Sequence, residues 1–131
     1  MLPADLDARL QSAVARLGPF AGRVRHYRQV GSTNEVAARL ADQGAAHGTV
    51  VVADAQSAGR GRHGNRWFSP HGTGLYVSVL LRTASPPVLT LAVGVAVAEA
   101  LRTGTGLEAT LEWPNDVVVF AAGRPRKVAG I

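Results

Sequence analysis

The chain has 131 residues, with 14 Lys plus Arg against 9 Asp plus Glu, for a formal net charge of +5. The absence of cysteine excludes a disulfide scaffold, a Cys-ligated zinc or iron–sulfur site and a thiol nucleophile. At 47% hydrophobic and 18% charged, the composition is that of a globular chain rather than a disordered one, and the length suits one domain.

Residues 4–17 read as an amphipathic helix: Leu6, Leu10, Val14 and Leu17 recur at helical spacing and Gly18 supplies a stop. Asp5, Asp7 and Arg9 within it exclude a signal peptide. Residues 24–30 read as a short strand. Ser32-Thr33-Asn34-Glu35 has the spacing of a capping box, and opens a helix expected to reach Gln43 and stop at Gly44. Thr49 to Ala53 reads as a buried strand, Gln56 to Gly64 as a glycine-rich loop, and Leu75 to Leu81 as a strand. A turn at Ser85-Pro86-Pro87 precedes a buried helix over Val88 to Arg102. The apolar stretch Val88 to Leu101, interrupted by Thr90, Gly94 and Glu99, is too short to span a bilayer.

Strands at Glu108 to Glu112 and Val117 to Phe120 are parted at Trp113-Pro114-Asn115, because proline cannot donate to a ladder. Residues 121–126 form a polar turn, and Lys127 to Ile131 begins another strand. The mixture lacks a clean βαβ rhythm, so the expected class is α+β with a mixed sheet. Because the sequence stops inside an apolar strand, the expectation is a truncated chain. Cytoplasmic residence is the default expectation.

The basic balance suggests a polyanion partner, but its form argues otherwise. Thirteen of the basic residues are Arg, and the sole Lys is Lys127. With 22 Ala, a composition bias accounts for most of the arginines. The stretch Gln56 to Trp67 alternates Gly59, Gly61 and Gly64 with Arg60, Arg62 and His63, in a window free of acidic residues between Asp54 and Glu99. Glycines let backbone N–H groups approach an anion, and arginines add charge-assisted bonds to phosphate or carboxylate. Such a loop suits a lid over a phosphorylated intermediate. A solvated turn or an RNA-binding Arg/Gly segment are the competing readings. The pattern is not a Walker A loop. Gly59-x-Gly61-x-x-Gly64 matches a dinucleotide fingerprint by letter, but Trp67-Phe68-Ser69-Pro70 stands where a helix should begin.

Four stations then occur in order: Ser32-Thr33-Asn34, the Gly59-Arg60-Gly61-Arg62 loop reaching Trp67, Trp113-Pro114-Asn115-Asp116, and Lys127-Val128-Ala129-Gly130-Ile131. Together they resemble the catalytic domain of biotin–protein ligases (biotin–[acetyl-CoA-carboxylase] ligases), over roughly residues 24–131. The resemblance implies a central mixed β-sheet flanked by helices, like that of class II aminoacyl-tRNA synthetases. It implies that biotin and ATP give biotinyl-5′-AMP, and that biotin then passes to a lysine of a biotin carboxyl carrier protein of acetyl-CoA or another acyl-CoA carboxylase.

By the same resemblance, Ser32, Thr33, Asn34 and Gln56 bind the ureido end of biotin. Arg60, Gly61 and Arg62 close over biotin and the adenylate, with Arg62 also catalytic and at the nucleotide. Trp67, Asn115 and Asp116 lie on the nucleotide side, with Asp116 near Mg²⁺. Lys127 contacts the biotin carboxylate and the α-phosphate as the main catalytic cation, with Gly130 beside biotin. Glu112 stands where the family usually has Lys, and His63 and Asn65 where basic residues are frequent, which weakens phosphate attraction. About thirty residues precede Ser32, too few for a winged helix-turn-helix. The expectation is therefore a monofunctional enzyme without DNA or membrane binding, compatible with a homodimer, and lacking a C-terminal β-barrel. Three alternatives stand beside this: a lipoate–protein ligase-like acyltransferase, a noncatalytic Arg/Gly nucleic-acid-binding module, and an inactive remnant.

Overall fold

The N-terminal helix forms in two pieces, α1 (Ala4–Ser12) and α2 (Val14–Leu17), parted at Ala13. Neither buries a residue completely; Leu6, Leu10 and Leu17 are half-buried and Val14 is exposed, so the spaced face packs only partly. A 3₁₀ segment, Gly18–Arg23, follows and buries Ala21. The computed structural model describes residues 2–82 and 86–131. They fall into two units, Met1–Arg82 and Thr83–Ile131.

The first unit is built on β1 (Val24–Tyr27), α3 (Thr33–Asp42), β2 (Thr49–Ala53) and β5 (Tyr76–Leu80). Strand β1 pairs parallel to β2, and β2 pairs antiparallel to β5. Strand β2 alternates buried and half-buried residues, as a strand covered on one face should. Val51 meets Val36 and Ala37 of α3 there, with Tyr27, Val30 and Leu40 around them. Helix α3 ends as the sequence predicts, with Gln43 at its C-cap and Gly44 at positive φ.

The expected loop at Gln56 to Gly64 is instead a hairpin. Strand β3 (Gln56–Arg60) pairs antiparallel with β4 (Arg66–Ser69) across a short 3₁₀ turn, Arg62–Gly64. The turn is made by His63 and Gly64, both at positive φ. The glycines of the first half serve close packing. A Cβ on Gly59 would lie 2.8 Å from Ser69 Oγ and 3.0 Å from the Trp67 carbonyl oxygen.

In the second unit, α4 (Pro86–Thr105) precedes β6 (Ala109–Glu112), β7 (Asp116–Ala121) and β8 (Arg124–Gly130), an antiparallel sheet in that order. The turn expected at Ser85-Pro86-Pro87 starts outside the described residues. Ala98 of α4 is buried with Ala109 and Val117. Gly94 lets the helix approach, since a Cβ there would meet Leu111 Cδ2 at 2.9 Å. The helix is not buried as expected: Val88, Leu91 and Val95 are exposed. It is also longer than the sequence reading, and by length and composition alone long and apolar enough to cross a membrane. The polar turn shrinks to residues 122–123, and β8 begins at Arg124, three residues ahead of expectation.

The α+β class is as expected, and the strands are distributed over a mixed three-stranded sheet, the β3–β4 hairpin and an antiparallel three-stranded sheet.

Candidate functional site

In the first unit the start of α3 is tied to β3 and β5 by side chains. Ser32 is the N-cap by backbone conformation but makes no capping bond, so the expected capping box does not form. The acceptor comes from outside the helix. Gln56 Oε1 accepts from the Thr33 N–H at 2.8 Å and from Thr33 Oγ1 at 3.1 Å. The Gln56 amide in turn donates from Nε2 to Ser69 Oγ at 3.2 Å. Gln56 is brought there by backbone. Val30 forms a parallel bridge with Gln56, and the Ser57 and Ala58 N–H groups donate to the carbonyls of Val30 and Gly31.

Ser78, on β5, was not singled out from the sequence. Its hydroxyl lies 2.9 Å from Thr33 Oγ1 and also bonds Asn34 Oδ1. A serine has one proton to donate, so the two acceptors share it. Ser32, Thr33, Ser69 and Ser78 are buried, while Asn34 is exposed at the rim. The cluster is therefore polar, uncharged and largely desolvated. A lone serine in an alternating strand gives no sequence signal; only the sheet register, with Ser78 opposite Val51, turns it toward α3.

Arg60 closes β3 and its Nη2 pairs with Glu35. The Gly61 N–H donates to the Asn65 carbonyl at 2.8 Å, which tightens the turn. Trp67 packs over that turn, its Nε1 3.2 Å from where a Gly61 Cβ would sit. Arg62 lies exposed in the turn. Beside this hairpin, His26 Nε2 lies 2.7 Å from Asp54 Oδ1. That hydrogen bond is the main reason the Asp54 carboxyl is held below the ordinary carboxylate range, with the His26, His71 and Arg28 charges assisting and burial opposing.

The second unit holds a charged cluster. Glu112 and Asp116 are cross-strand neighbours flanking the turn 113–115, whose Trp113–Pro114 bond is cis. Lys127 Nζ lies 2.8 Å from Asp116 Oδ1. This pairing depends on a bulge. Ala129 faces Val117 but Lys127 faces Val118, so Val128 is the extra residue on β8. In an unbroken ladder counted from Gly130 opposite Asp116, Lys127 would face Val119 and point to the other side of the sheet. Asn115 receives the Ile131 N–H at its carbonyl at 2.8 Å. A cleft of about 160 Å³ beside this turn is lined by Thr90, Leu91, Gly94, Trp113, Asn115 and Asp116. Gly130 ends β8 opposite Asp116.

Among the described residues no group of three or more His, Cys, Asp or Glu side chains could hold a metal ion. Asp116 is engaged by Lys127.

The model of the biotin/lipoate A/B protein ligase family matches residues 26–131. The chain belongs to this family. Bifunctional ligase/repressor BirA of Bacillus subtilis is 41% identical over 92 residues, which are 67% of this chain and 28% of that protein. Biotin–[acetyl-CoA-carboxylase] ligase of Mycobacterium tuberculosis is 38% identical over 112 residues, 79% of this chain and 41% of that protein. Among solved structures, biotin protein ligase from Aquifex aeolicus in complex with biotin and ATP superposes with a TM-score of 0.69 at 40% identity, covering 82% of this chain and 44% of that one. This biotin/lipoate ligase-family chain thus spans less than half the length of each of these relatives. The resemblance to biotin–protein ligases read from the four motifs is borne out.

Proposed function

We propose that this chain is a catalytic part of a biotin–protein ligase. The carboxylate of biotin attacks the α-phosphorus of ATP, pyrophosphate leaves, and biotinyl-5′-AMP forms. The amine of a carrier-domain lysine then attacks the acyl carbon and AMP leaves. The carrier is a biotin carboxyl carrier protein of an acyl-CoA carboxylase.

The observation that carries this reading is the uncharged hydrogen-bond set in which half-buried Gln56 joins buried Thr33, Ser69 and Ser78, with Asn34 at its rim. A ureido ring is neutral, with two N–H donors and one carbonyl acceptor. Neutral hydroxyls and amides satisfy it without burying a charge. The Ser32 hydroxyl, not engaged in capping, is a further partner for it. Arg60 and Arg62, in the hairpin, supply cationic donors for the anhydride, and Trp67 backs the turn that carries them. Lys127 stabilises charge growing on the α-phosphoryl oxygens, Asp116 holds its ammonium in place, and Asn115 and Gly130 shape the same stretch. Magnesium, where it takes part, arrives on the triphosphate. No enzyme-bound covalent intermediate is required.

Biotin-dependent release of pyrophosphate from ATP by the folded protein tests this reading, and no release overturns it. Arg62→Gly is expected to shorten retention of the adenylate; retention equal to wild type counts against the lid role. A repressor role is the second reading, favoured by the likeness to BirA of Bacillus subtilis, a bifunctional ligase/repressor. We place a monofunctional, cytoplasmic enzyme first, and salt-dependent binding to a specific duplex would reverse that order.

A further inference from the structure

We infer that Glu35 is a positioning residue for Arg60, setting where the hairpin arginine stands before ligand arrives; the ligand-dependent part of this rests on the site proposed above. Glu35 is in the first turn of α3, next to Asn34, and its carboxylate takes the Nη2 donor of Arg60. A capping box would have turned that carboxylate back toward Ser32, and it does not form.

The backbone brings the two residues together. The N–H groups of Ser57 and Ala58 donate to Val30 and Gly31, so β3 leaves alongside the start of α3 and carries Arg60 up to Glu35. Gly31 leaves room for the carboxylate to turn: a Cβ there would lie 3.2 Å from Glu35 Oε2. The Arg60 side chain is 67% exposed and that of Glu35 44% exposed. An exposed pair adds little stability and is easily screened. What it fixes is direction. A guanidinium has five N–H donors in a rigid fork, and the contact with Glu35 uses one edge. The remaining donors stay available to an anion. Glu35 thus orders one arginine in advance, and less ordering remains for closure of the 60–66 turn.

The test uses the protein with Glu35→Gln and Glu35→Asp. Limited trypsin cleavage at Arg60, Arg62 and Arg66 is followed without ligand, and loss of biotinyl-5′-AMP is followed at low and high salt. Glu35→Gln is expected to speed cleavage and adenylate loss about two- to fivefold, the range an exposed pair supports. It should also lessen the salt dependence of the loss, with the melting temperature unchanged and Glu35→Asp closer to wild type. Wild-type cleavage, adenylate loss and salt dependence in Glu35→Gln overturn the inference. Faster cleavage in a protein that binds no biotin keeps the positioning role and overturns the proposed function instead.

Discussion

In the first unit Ser32, Thr33, Ser69 and Ser78 are buried and uncharged, whereas Asp116 and Lys127 in the second unit are ionic and partly exposed. The first arrangement is a chain of donors and acceptors running from Ser69 through Gln56 and Thr33 to Ser78 and Asn34. The second is one ion pair on a bulged ladder. A neutral network discriminates shape and hydrogen-bond pattern, because a wrong ligand leaves buried groups unpaired. An ammonium beside a carboxylate discriminates little, but it can respond to charge that grows during a reaction. Under the function proposed above, the contrast would assign recognition and chemistry to different kinds of group.

Lys127→Ala is the sharpest way to break that contrast. Adenylation should fall by about 10²–10³-fold, the scale for losing one preorganised donor, while biotin affinity changes far less. Equal losses in single-turnover rate and in biotin binding would mean that the ammonium serves binding, and the division would collapse.

Gly59→Ala tests whether the neutral network is as tightly packed as its distances imply. The added methyl meets Ser69 Oγ and the Trp67 carbonyl oxygen, so stability should drop by about 1–3 kcal/mol. Denaturant unfolding measures it. An unchanged midpoint would show that the hairpin yields freely.

Ser78→Ala should act more gently, removing a buried hydroxyl shared by Thr33 and Asn34. Biotin affinity is expected to weaken by about 1 kcal/mol, roughly fivefold, with the rate from the bound state nearly intact. A rate effect without an affinity effect would move Ser78 out of the recognition group.

The smallest effect concerns Asp54. Its folded-state carboxyl is held below the ordinary range, chiefly by the His26 hydrogen bond. The ionised carboxylate therefore contributes stability above that range, and the contribution disappears as pH falls through the folded-state value. Asp54→Asn should lower the melting temperature slightly near pH 7, and the gap to wild type should close in strong acid. A gap independent of pH would assign the contact to packing.

Local patterning was legible where one element answers for itself. Thr49–Ala53 lies on the expected residues because Thr49 and three consecutive valines, all strand formers, sit between Gly48 and Asp54. Gly44 stops α3 as its place in the sequence suggests. The hairpin at Gln56–Ser69 was not legible, since three glycines, three arginines and a histidine carry no strand periodicity. It is held by backbone bonds to residues 30–31 and by packing against Ser69 and Trp67. Glu35 misled for a related reason: its spacing fits a cap, and a long-range arginine takes it instead. The Ser32, Thr33, Asn34 and Gln56 grouping came through the family resemblance, and the geometry does bring Thr33, Asn34 and Gln56 into one network with Ser78. The apolar run over α4 promised burial that Val88, Leu91 and Val95 do not have.

The bulge at Val128 has an arithmetical consequence. Lys127 and Gly130 are three apart, and an odd spacing on a regular strand puts two residues on opposite faces. The extra residue converts the odd interval into an even one, so both stand with Asp116 and Val118. The lysine's address is therefore a matter of parity as well as of chemistry. Regularising the ladder outward from Gly130 would keep every letter of the motif and deliver its only ammonium to the wrong side of the sheet.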